Sequence, residues 1–154
     1  MFDSSQSQYL SRTFGMPTDG RKFTWSGWVK NTTQSNYINL LTSGTPTGEL
    51  LLNGNTLVFY DAALGGTLRQ SLAYYRDPSA WLHIVFVFDS TNITDQQRCR
   101  LYVNGTEITA WAQNNSITPN AVPNLGSSGN FQIGSNGGGT AYADGYLSDN
   151  YFVD

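Results

Sequence analysis

Residues 98–105 read RCRLYVNG, and this short stretch indicates the fold class. Its first six positions alternate between Arg or Tyr and an apolar residue, so one face of an extended strand is apolar and the other is polar. Asn104-Gly105 then supplies the two central residues of a type I′ turn. The sequence therefore predicts a β-hairpin from Arg98 to about Trp111.

Similar short segments recur along the chain between clusters of Gly, Asn, Asp and Pro. No segment of eleven or more residues keeps the i, i+3, i+4, i+7 apolar spacing of an amphipathic helix. Further strands are predicted at residues 8–14, 23–30, 37–42, 49–53, 56–61, 68–75, 81–89, 131–134 and 146–153. About ten short strands fit an all-β fold built as a two-sheet sandwich.

Two Trp-containing segments indicate how the sheets are covered. Residues 23–30 alternate so that Trp25 lies on one face and Trp28 on the other. Trp28 is therefore expected in a second layer or an interface. Residues 81–89 are apolar on both faces, which is typical of a central strand whose outer face is covered by loops or by a neighbouring subunit.

Several side chains are expected in the core. We predict that Trp81, Val85 and Leu101 are buried between the sheets. His83 is flanked by apolar residues and is interpreted as a hydrogen-bonded core histidine. Cys99 falls on the apolar face of its strand and is interpreted as a small buried residue.

Composition excludes some partners. The chain has 154 residues, of which 12% are charged, against a usual share of about 25%. A chain of this length buries roughly 69% of its unfolded surface, which is enough for a single domain over residues 1–154. The net charge is −3 and no basic run follows a phosphate backbone, so we expect no nucleic-acid partner. The longest apolar stretch, residues 81–88, is far shorter than the roughly 20 residues that span a bilayer, so we expect no membrane insertion.

Metal and cofactor chemistry has few candidate ligands. One Cys and one His cannot form a zinc site of nitrogen and sulfur ligands. Asp89, Asn92 and Asp95 place three oxygen-bearing side chains in one predicted loop, and Ca²⁺ binds such oxygens. Because Asp and Asn are also ordinary turn residues, we interpret the loop as a turn, expect no cofactor, and keep calcium as the alternative. Asn136 with Asp144 is a second, weaker calcium candidate.

Five segments, in chain order, resemble the concanavalin A-like, laminin-G-like jelly-roll superfamily. They read FTWSGWVK (23–30), WLHIV (81–85), LYVNG (101–105), FQIG (131–134) and GYLSD (145–149). The resemblance implies an antiparallel jelly-roll sandwich. Together with the usual closeness of domain termini, it predicts that the strands at 8–14 and 146–153 are neighbours in one sheet. The chain departs from the family pattern at Ser148, which takes the place of an acidic residue, and at Asn150, which takes the place of an apolar one.

Two shorter segments, YLSRT (9–13) and DGYL (144–147), resemble variants carried by virion proteins of tailed bacteriophages. This resemblance implies a non-enzymatic structural or adhesion module on the virion surface. The chain would be a capsid decoration protein or a tail- or fibre-associated module, present in many copies or as a homo-oligomer, with other virion proteins as partners. One module of a longer protein is an alternative, because similar chains often continue beyond the position of Asp154.

Catalysis is not expected. Glycoside hydrolases that share this fold carry a Glu-x-Asp-x-x-Glu motif on one strand, and retaining enzymes hold two carboxylates about 5–5.5 Å apart. The glutamates of this chain are Glu49 and Glu107, and neither begins such a motif. No Gly-x-Ser-x-Gly elbow is present to pair a nucleophile with His83. From a different class of function, a lectin domain that recognises cell-surface glycans remains the alternative to the structural role.

The contact surface is predicted on two long loops, residues 113–129 and 134–145. Both are rich in Gly, Asn and Ser, whose backbone groups are accessible to a partner. Trp111 is the expected apolar anchor, because interface energy concentrates in buried aromatic residues. The predicted binding residues for a partner or a glycan are Trp111, Asn114, Asn136 and Asp144.

Overall fold

The structure is a computed structural model that describes residues 1–33, 37–44 and 47–154. Its strands are β1 (Leu10–Phe14), β2 (Lys22–Lys30), β3 (Tyr37–Ser43), β4 (Gly48–Asn53), β5 (Thr56–Asp61), β6 (Gly66–Ser71), β7 (Leu82–Asp89), β8 (Cys99–Val103), β9 (Thr106–Glu107), β10 (Trp111–Asn114), β11 (Gly129–Ile133) and β12 (Tyr146–Val153). Short 3₁₀ helices span Ser4–Gln6, Ala62–Leu64, Asp95–Gln97 and Asn124–Gly126. None of the helices in these ranges has the length and apolar character needed to cross a bilayer.

The strands form two antiparallel sheets packed as a sandwich. The seven-stranded sheet has the order β1-β11-β3-β4-β5-β6-β10, and the five-stranded sheet has the order β12-β2-β7-β8-β9. Neighbouring strands pair antiparallel throughout both sheets. The predicted all-β, two-sheet sandwich is therefore confirmed.

The core lies between the two sheets and is rich in Phe and Leu. Phe59 of β5 and Phe86 of β7 connect the layers, with ring centroids 4.8 Å apart. Leu101 is fully buried, as predicted, and so is Cys99. Burial raises the pKa of the Cys99 thiol to about 12, which keeps the thiol protonated and unreactive at neutral pH.

The prediction of the core face of β7 was partly wrong. Phe86 points inward, so the strict two-residue period turns His83 and Val85 to the outer face, where both are half-buried. Trp81, just before the strand, is 41% exposed instead of buried. The segment is apolar on both sides, and for that reason its pattern did not distinguish the faces.

The predicted pairing of the terminal strands was also wrong. β1 pairs with β11 in the seven-stranded sheet, whereas β12 pairs with β2 in the five-stranded sheet. The two strands instead face each other across the sandwich, where the rings of Phe14 and Phe152 lie 5.7 Å apart. The N-terminal segment does contact the residue that precedes β12, through a bridge between Phe2 and Gly145.

Two predicted segments extend too far. The strand at 68–75 ends at Ser71, and the following residues form a loop. The hairpin at Asn104-Gly105 is confirmed, with φ of 51° and 80° at the turn residues. Its second strand, β9, ends at Glu107, and β10 then crosses to pair with β6 in the other sheet. On β10 the Trp111 side chain packs against the core.

Candidate binding surface

Two of the predicted contact residues lie on β10, an edge strand of the seven-stranded sheet. Trp111 is half-buried and packs against the core, with the guanidinium carbon of Arg69 5.9 Å from its ring centroid. Asn114 is exposed and pairs in register with Arg69. Trp111 is therefore partly a packing residue, and Asn114 is accessible to a partner.

The other two predicted residues hold loop structure together. Both carboxylate oxygens of Asp144 accept hydrogen bonds from Ser4, one from the backbone N–H at 2.7 Å and one from the hydroxyl at 2.6 Å. The Asn136 Oδ1 accepts from three backbone N–H groups two to five residues further on, at 3.2–3.3 Å. Its Nδ2 donates to the Thr140 hydroxyl at 2.7 Å. Their polar atoms are thus engaged within the protein itself.

The sheet order separates these residues into two pairs. Trp111 and Asn114 lie on β10, whereas Asn136 follows β11, five strand spacings away. Five spacings correspond to about 24 Å. The structure therefore does not gather the four side chains at one place, and partner binding by either pair stays a prediction.

The three oxygen-bearing side chains of the loop considered for calcium accept hydrogen bonds from within the protein. Oδ1 of Asp89 and Oδ1 of Asn92 each accept from the backbone N–H two residues further on, at 3.0 and 2.9 Å. Oδ1 of Asp95 accepts from the Ile117 N–H at 2.8 Å and from Arg98 at 3.2 Å. Across the described ranges, no three Asp, Glu, His or Cys side chains are grouped to hold a metal. Calcium binding at this loop stays an untested hypothesis.

A shallow groove lies on the outer face of the seven-stranded sheet. We call it the Glu49 groove; it has a volume of about 390 Å³, and its polar lining includes Tyr37, Glu49, Asn53, Tyr60 and Thr67. Burial raises the pKa of the Glu49 carboxyl. Glu107 belongs to β9 in the opposite sheet, so the two glutamates do not form a carboxylate pair.

The outer face of the five-stranded sheet carries a group of aromatic side chains, of which the sequence pattern predicted Trp28. We call it the aromatic patch and define it as Trp28, Lys30, Trp81, His83 and Tyr146. Trp28 of β2 pairs with His83 of β7, and Lys30 of β2 pairs with Tyr146 of β12. Strand register thus brings residues from three separate parts of the chain to one face.

The rings of the aromatic patch contact each other in pairs. Trp28 and His83 have ring centroids 4.9 Å apart, and Trp81 and Tyr146 have centroids 6.1 Å apart in an edge-to-face arrangement. The exposed fractions of Trp28, Trp81 and Tyr146 are 39%, 41% and 38%. Each ring therefore keeps a substantial surface in contact with solvent.

A cleft of about 390 Å³ opens beside Trp81 and Tyr146. Hydroxyl groups from Thr32 and Ser79 and the ammonium group of Lys30 line it. An exposed aromatic surface bordered by hydrogen-bond donors is typical of a binding site. The alternation at 23–30 predicted an outward Trp28, but no pattern within residues 81–89 indicated that Trp81 lies on the same face.

The family of the chain follows from its sequence as well as its fold. Residues 3–154 match the Laminin_G_3 family model, described as the concanavalin A-like lectin/glucanases superfamily. The chain belongs to this family. No protein of curated function matches it in sequence.

Solved structures share the fold at low sequence identity. A native heptameric SAP-like pentraxin from Limulus polyphemus has a TM-score of 0.62 and 16% identity over 94% of this chain and 68% of its own. Domains LG4-5 of the mouse laminin alpha1 chain have a TM-score of 0.65 and 13% identity over 94% of this chain and 38% of theirs. A Trypanosoma rangeli sialidase in complex with 2,3-difluorosialic acid has a TM-score of 0.57 and 14% identity over 87% of this chain and 21% of its own. At these identities the likeness shows the fold alone.

Proposed function

We propose that this chain is a non-catalytic binding module that takes neutral carbohydrate on the aromatic patch. The observation that carries the proposal is the exposure of Trp81 and Tyr146 beside a cleft lined by hydroxyl and ammonium donors. A sugar ring has an apolar face of C–H groups and a rim of hydroxyls. Aromatic rings supply an apolar surface for the C–H face, and polar side chains form hydrogen bonds with the hydroxyl groups.

Charge supports a neutral ligand. The chain carries a net charge of −3, which disfavours a strongly acidic polysaccharide. Lys30 supplies the positive charge of the patch and can donate hydrogen bonds to sugar hydroxyls. Membership of a superfamily that contains lectins supports the same class of ligand.

The positions of the carboxylates support binding without catalysis. Glu49 and Glu107 lie in different sheets and cannot act together on one glycosidic bond. None of the five residues that define the aromatic patch is a carboxylic acid. The nearby Asp77 carboxylate interacts electrostatically with Lys30 and accepts hydrogen bonds from Ser79 in its own turn.

The test is a glycan array followed by calorimetry with the best-bound glycan. Trp81→Ala and Tyr146→Ala should each weaken binding by more than about fivefold, because the aromatic surface for the sugar face is lost. Tyr37→Ala is the matched control, since Tyr37 is a similarly exposed aromatic residue in the Glu49 groove on the opposite face. Loss of binding in Tyr37→Ala alone, or no bound glycan on the array, would overturn the proposal.

A second candidate is a structural or adhesion role on the surface of a tailed-bacteriophage virion. Here the specific observation is the N-terminal edge of the seven-stranded sheet, where Leu10 of β1 is 62% exposed and the neighbouring Tyr9 is also exposed. An exposed edge strand offers unpaired backbone groups to another chain. The segment 9–13 is also one of the two that resemble virion proteins.

Quantitative mass spectrometry of purified particles tests this second candidate. A capsid decoration protein, or a tail- or fibre-associated module, should be present at a fixed copy number per particle. Its absence from particles of a phage that encodes it would rule out the virion role and leave the glycan-binding proposal standing.

A further inference from the structure

Another cleft opens between the two sheets, at the side where β1 and β12 are the edge strands. Its volume is about 350 Å³. We call it the inter-sheet cleft, and the residues that matter here are Leu10, Phe14, Trp25, Phe131, Asn150 and Phe152. The cleft lies between the sheets, whereas the aromatic patch lies on an outer face. An inference about it is therefore independent of the proposed glycan site.

One part of the wall of the inter-sheet cleft is aromatic, and Ser11 and Arg12 also line the cleft, with the guanidinium carbon of Arg12 5.2 Å from the Phe14 ring centroid. The ring of Phe14 lies 5.0 Å from that of Phe131 and 5.7 Å from that of Phe152, centroid to centroid. The rings of Phe131 and Phe152 lie 5.9 Å apart. These three side chains connect the edges of the two sheets and form a preorganised apolar wall.

Two buried polar atoms beside this wall have no hydrogen-bond partner among residues 1–33, 37–44 and 47–154. They are Nε1 of Trp25, a residue only 1% exposed, and Oδ1 of Asn150. The two side chains converge above Gly27, where an added Cβ would lie 2.7 Å from the Asn150 Oδ1 and 2.8 Å from Cζ2 of the Trp25 ring. A buried donor and a buried acceptor, each without a partner among the described residues, therefore belong to two side chains that meet on the wall of this cleft. This arrangement is unfavourable unless a third group pairs with them.

The local backbone explains how an Asn reaches this position. The pairing of β12 with β2 shifts register between Ser148 and Tyr151. Within that bulge Asp149 has a φ of 50°. The bulge changes the direction of the side chains that follow it, so that the Asn150 amide lines the cleft at this position.

We propose that the inter-sheet cleft binds a small, mostly apolar molecule through one hydroxyl group. An indole N–H can only donate and an amide oxygen can only accept, whereas a hydroxyl does both. The hydroxyl accepts from Trp25 Nε1–H and donates to Asn150 Oδ1, and the apolar body packs on the wall of Phe rings. A single water occupies about 30 Å³ and would leave most of this apolar space unfilled.

The test uses 2-naphthol and 2-methylnaphthalene, which have nearly the same shape and differ by a hydroxyl in place of a methyl group. Each is titrated into ¹⁵N-labelled protein, and the indole N–H signal of Trp25 is followed by NMR. The signal is assigned by its loss in Trp25→Phe. We expect 2-naphthol to bind at least about fivefold tighter than 2-methylnaphthalene and to shift the Trp25 signal.

Three variants locate the site. Asn150→Leu removes the acceptor at similar volume, so the preference for 2-naphthol should fall to within about twofold. Asn114→Leu is the matched control, because Asn114 is an exposed Asn on β10, the edge strand opposite β1 in the seven-stranded sheet. This variant should keep the wild-type preference for 2-naphthol. Trp81→Ala, which should weaken any binding to the aromatic patch, should also leave the preference for 2-naphthol intact.

Several outcomes would overturn the proposal. They are equal affinity for the two probes, binding that leaves the Trp25 signal unmoved, and a preference that survives in Asn150→Leu. A long-lived water detected at the Trp25 indole N–H, together with no binding of either probe, would also overturn it. Failure of the glycan-binding proposal would affect none of these measurements.

Discussion

The indole of Trp28 packs on the imidazole of His83, with ring centroids 4.9 Å apart, on the outer face of the five-stranded sheet. The contact is a direct cross-strand pair, since β2 and β7 place these residues opposite each other. His83 lies on this face because the two-residue period of β7 turns Phe86 inward, and part of the Trp28 ring stays exposed to solvent.

Leu101→Ala should reduce the free energy of unfolding by about 2–5 kcal/mol, because Leu101 is fully buried in the core. Trp81→Ala is the comparison, since it removes a larger side chain from an exposed position and should cost less. Urea denaturation of both variants measures the difference. A loss below about 1 kcal/mol for Leu101→Ala would contradict the assignment of the core face of β8.

Trp111→Ala should lower the melting temperature, contrary to what an exposed anchor would show. The ring packs against the core and contacts the buried guanidinium of Arg69. We expect a loss of stability of about 1–3 kcal/mol. Differential scanning calorimetry measures it, with Asn114→Ala on the same strand as the control. An unchanged melting temperature would return Trp111 to the role of an exposed binding residue.

Asp144→Ala should release the N-terminal segment while the sandwich stays folded. The Asp144 carboxylate accepts two hydrogen bonds from Ser4, and these tie the segment to the loop before β12. Amide hydrogen exchange should accelerate at residues 2–7 and remain slow in β7 and β8. Asp77→Ala, which removes an exposed carboxylate that accepts hydrogen bonds from Ser79 in its own turn, serves as the control. Unchanged exchange at Ser4 would show that the carboxylate does not hold this segment.

Glu49→Gln should stabilise the protein at neutral pH. Burial raises the pKa of the Glu49 carboxyl in the folded state, so folding favours its protonated form. The stabilising contribution of protonated Glu49 is fully present below the pKa of this carboxyl in the unfolded state. It is lost as the pH rises through the pKa of the same carboxyl in the folded state. The variant should therefore melt at a higher temperature than the wild type at pH 7, and the gain should disappear when the pH falls below about 4. An equal gain at both pH values would mean that charge burial is not the cause.

The protein should release no reducing sugar from laminarin. The reason is that Glu49 and Glu107 lie in different sheets, which leaves no close glutamate pair for hydrolysis. A reducing-sugar assay after prolonged incubation measures this directly. Release that is lost in Glu49→Gln or Glu107→Gln would contradict a purely binding role.

The local sequence determined most of the strands and the turn at Asn104-Gly105, but it did not predict β10. The alternation before Asn104-Gly105 predicted β8, its buried face and the hairpin, because side-chain direction in a strand and the positive φ of a type I′ turn depend on neighbouring residues only. The number of short strands predicted the two-sheet sandwich, and the resemblance of five segments to the concanavalin A-like superfamily predicted its jelly-roll class. The same alternation along β8 assigned Cys99 and Leu101 correctly to the core.

Only the tertiary structure decided where the strands meet. Which strand pairs with β1 depends on contacts between distant parts of the chain, so the separation of β1 and β12 into different sheets had no local signal. The aromatic patch has the same origin, since register across β2, β7 and β12 brings Trp28, Trp81 and Tyr146 to one face. The engagement of Asp144 by Ser4 joins residues at opposite ends of the chain. Local patterns define which way a side chain points along its own strand, but the partner across the sheet or the loop is set by packing of the whole sandwich.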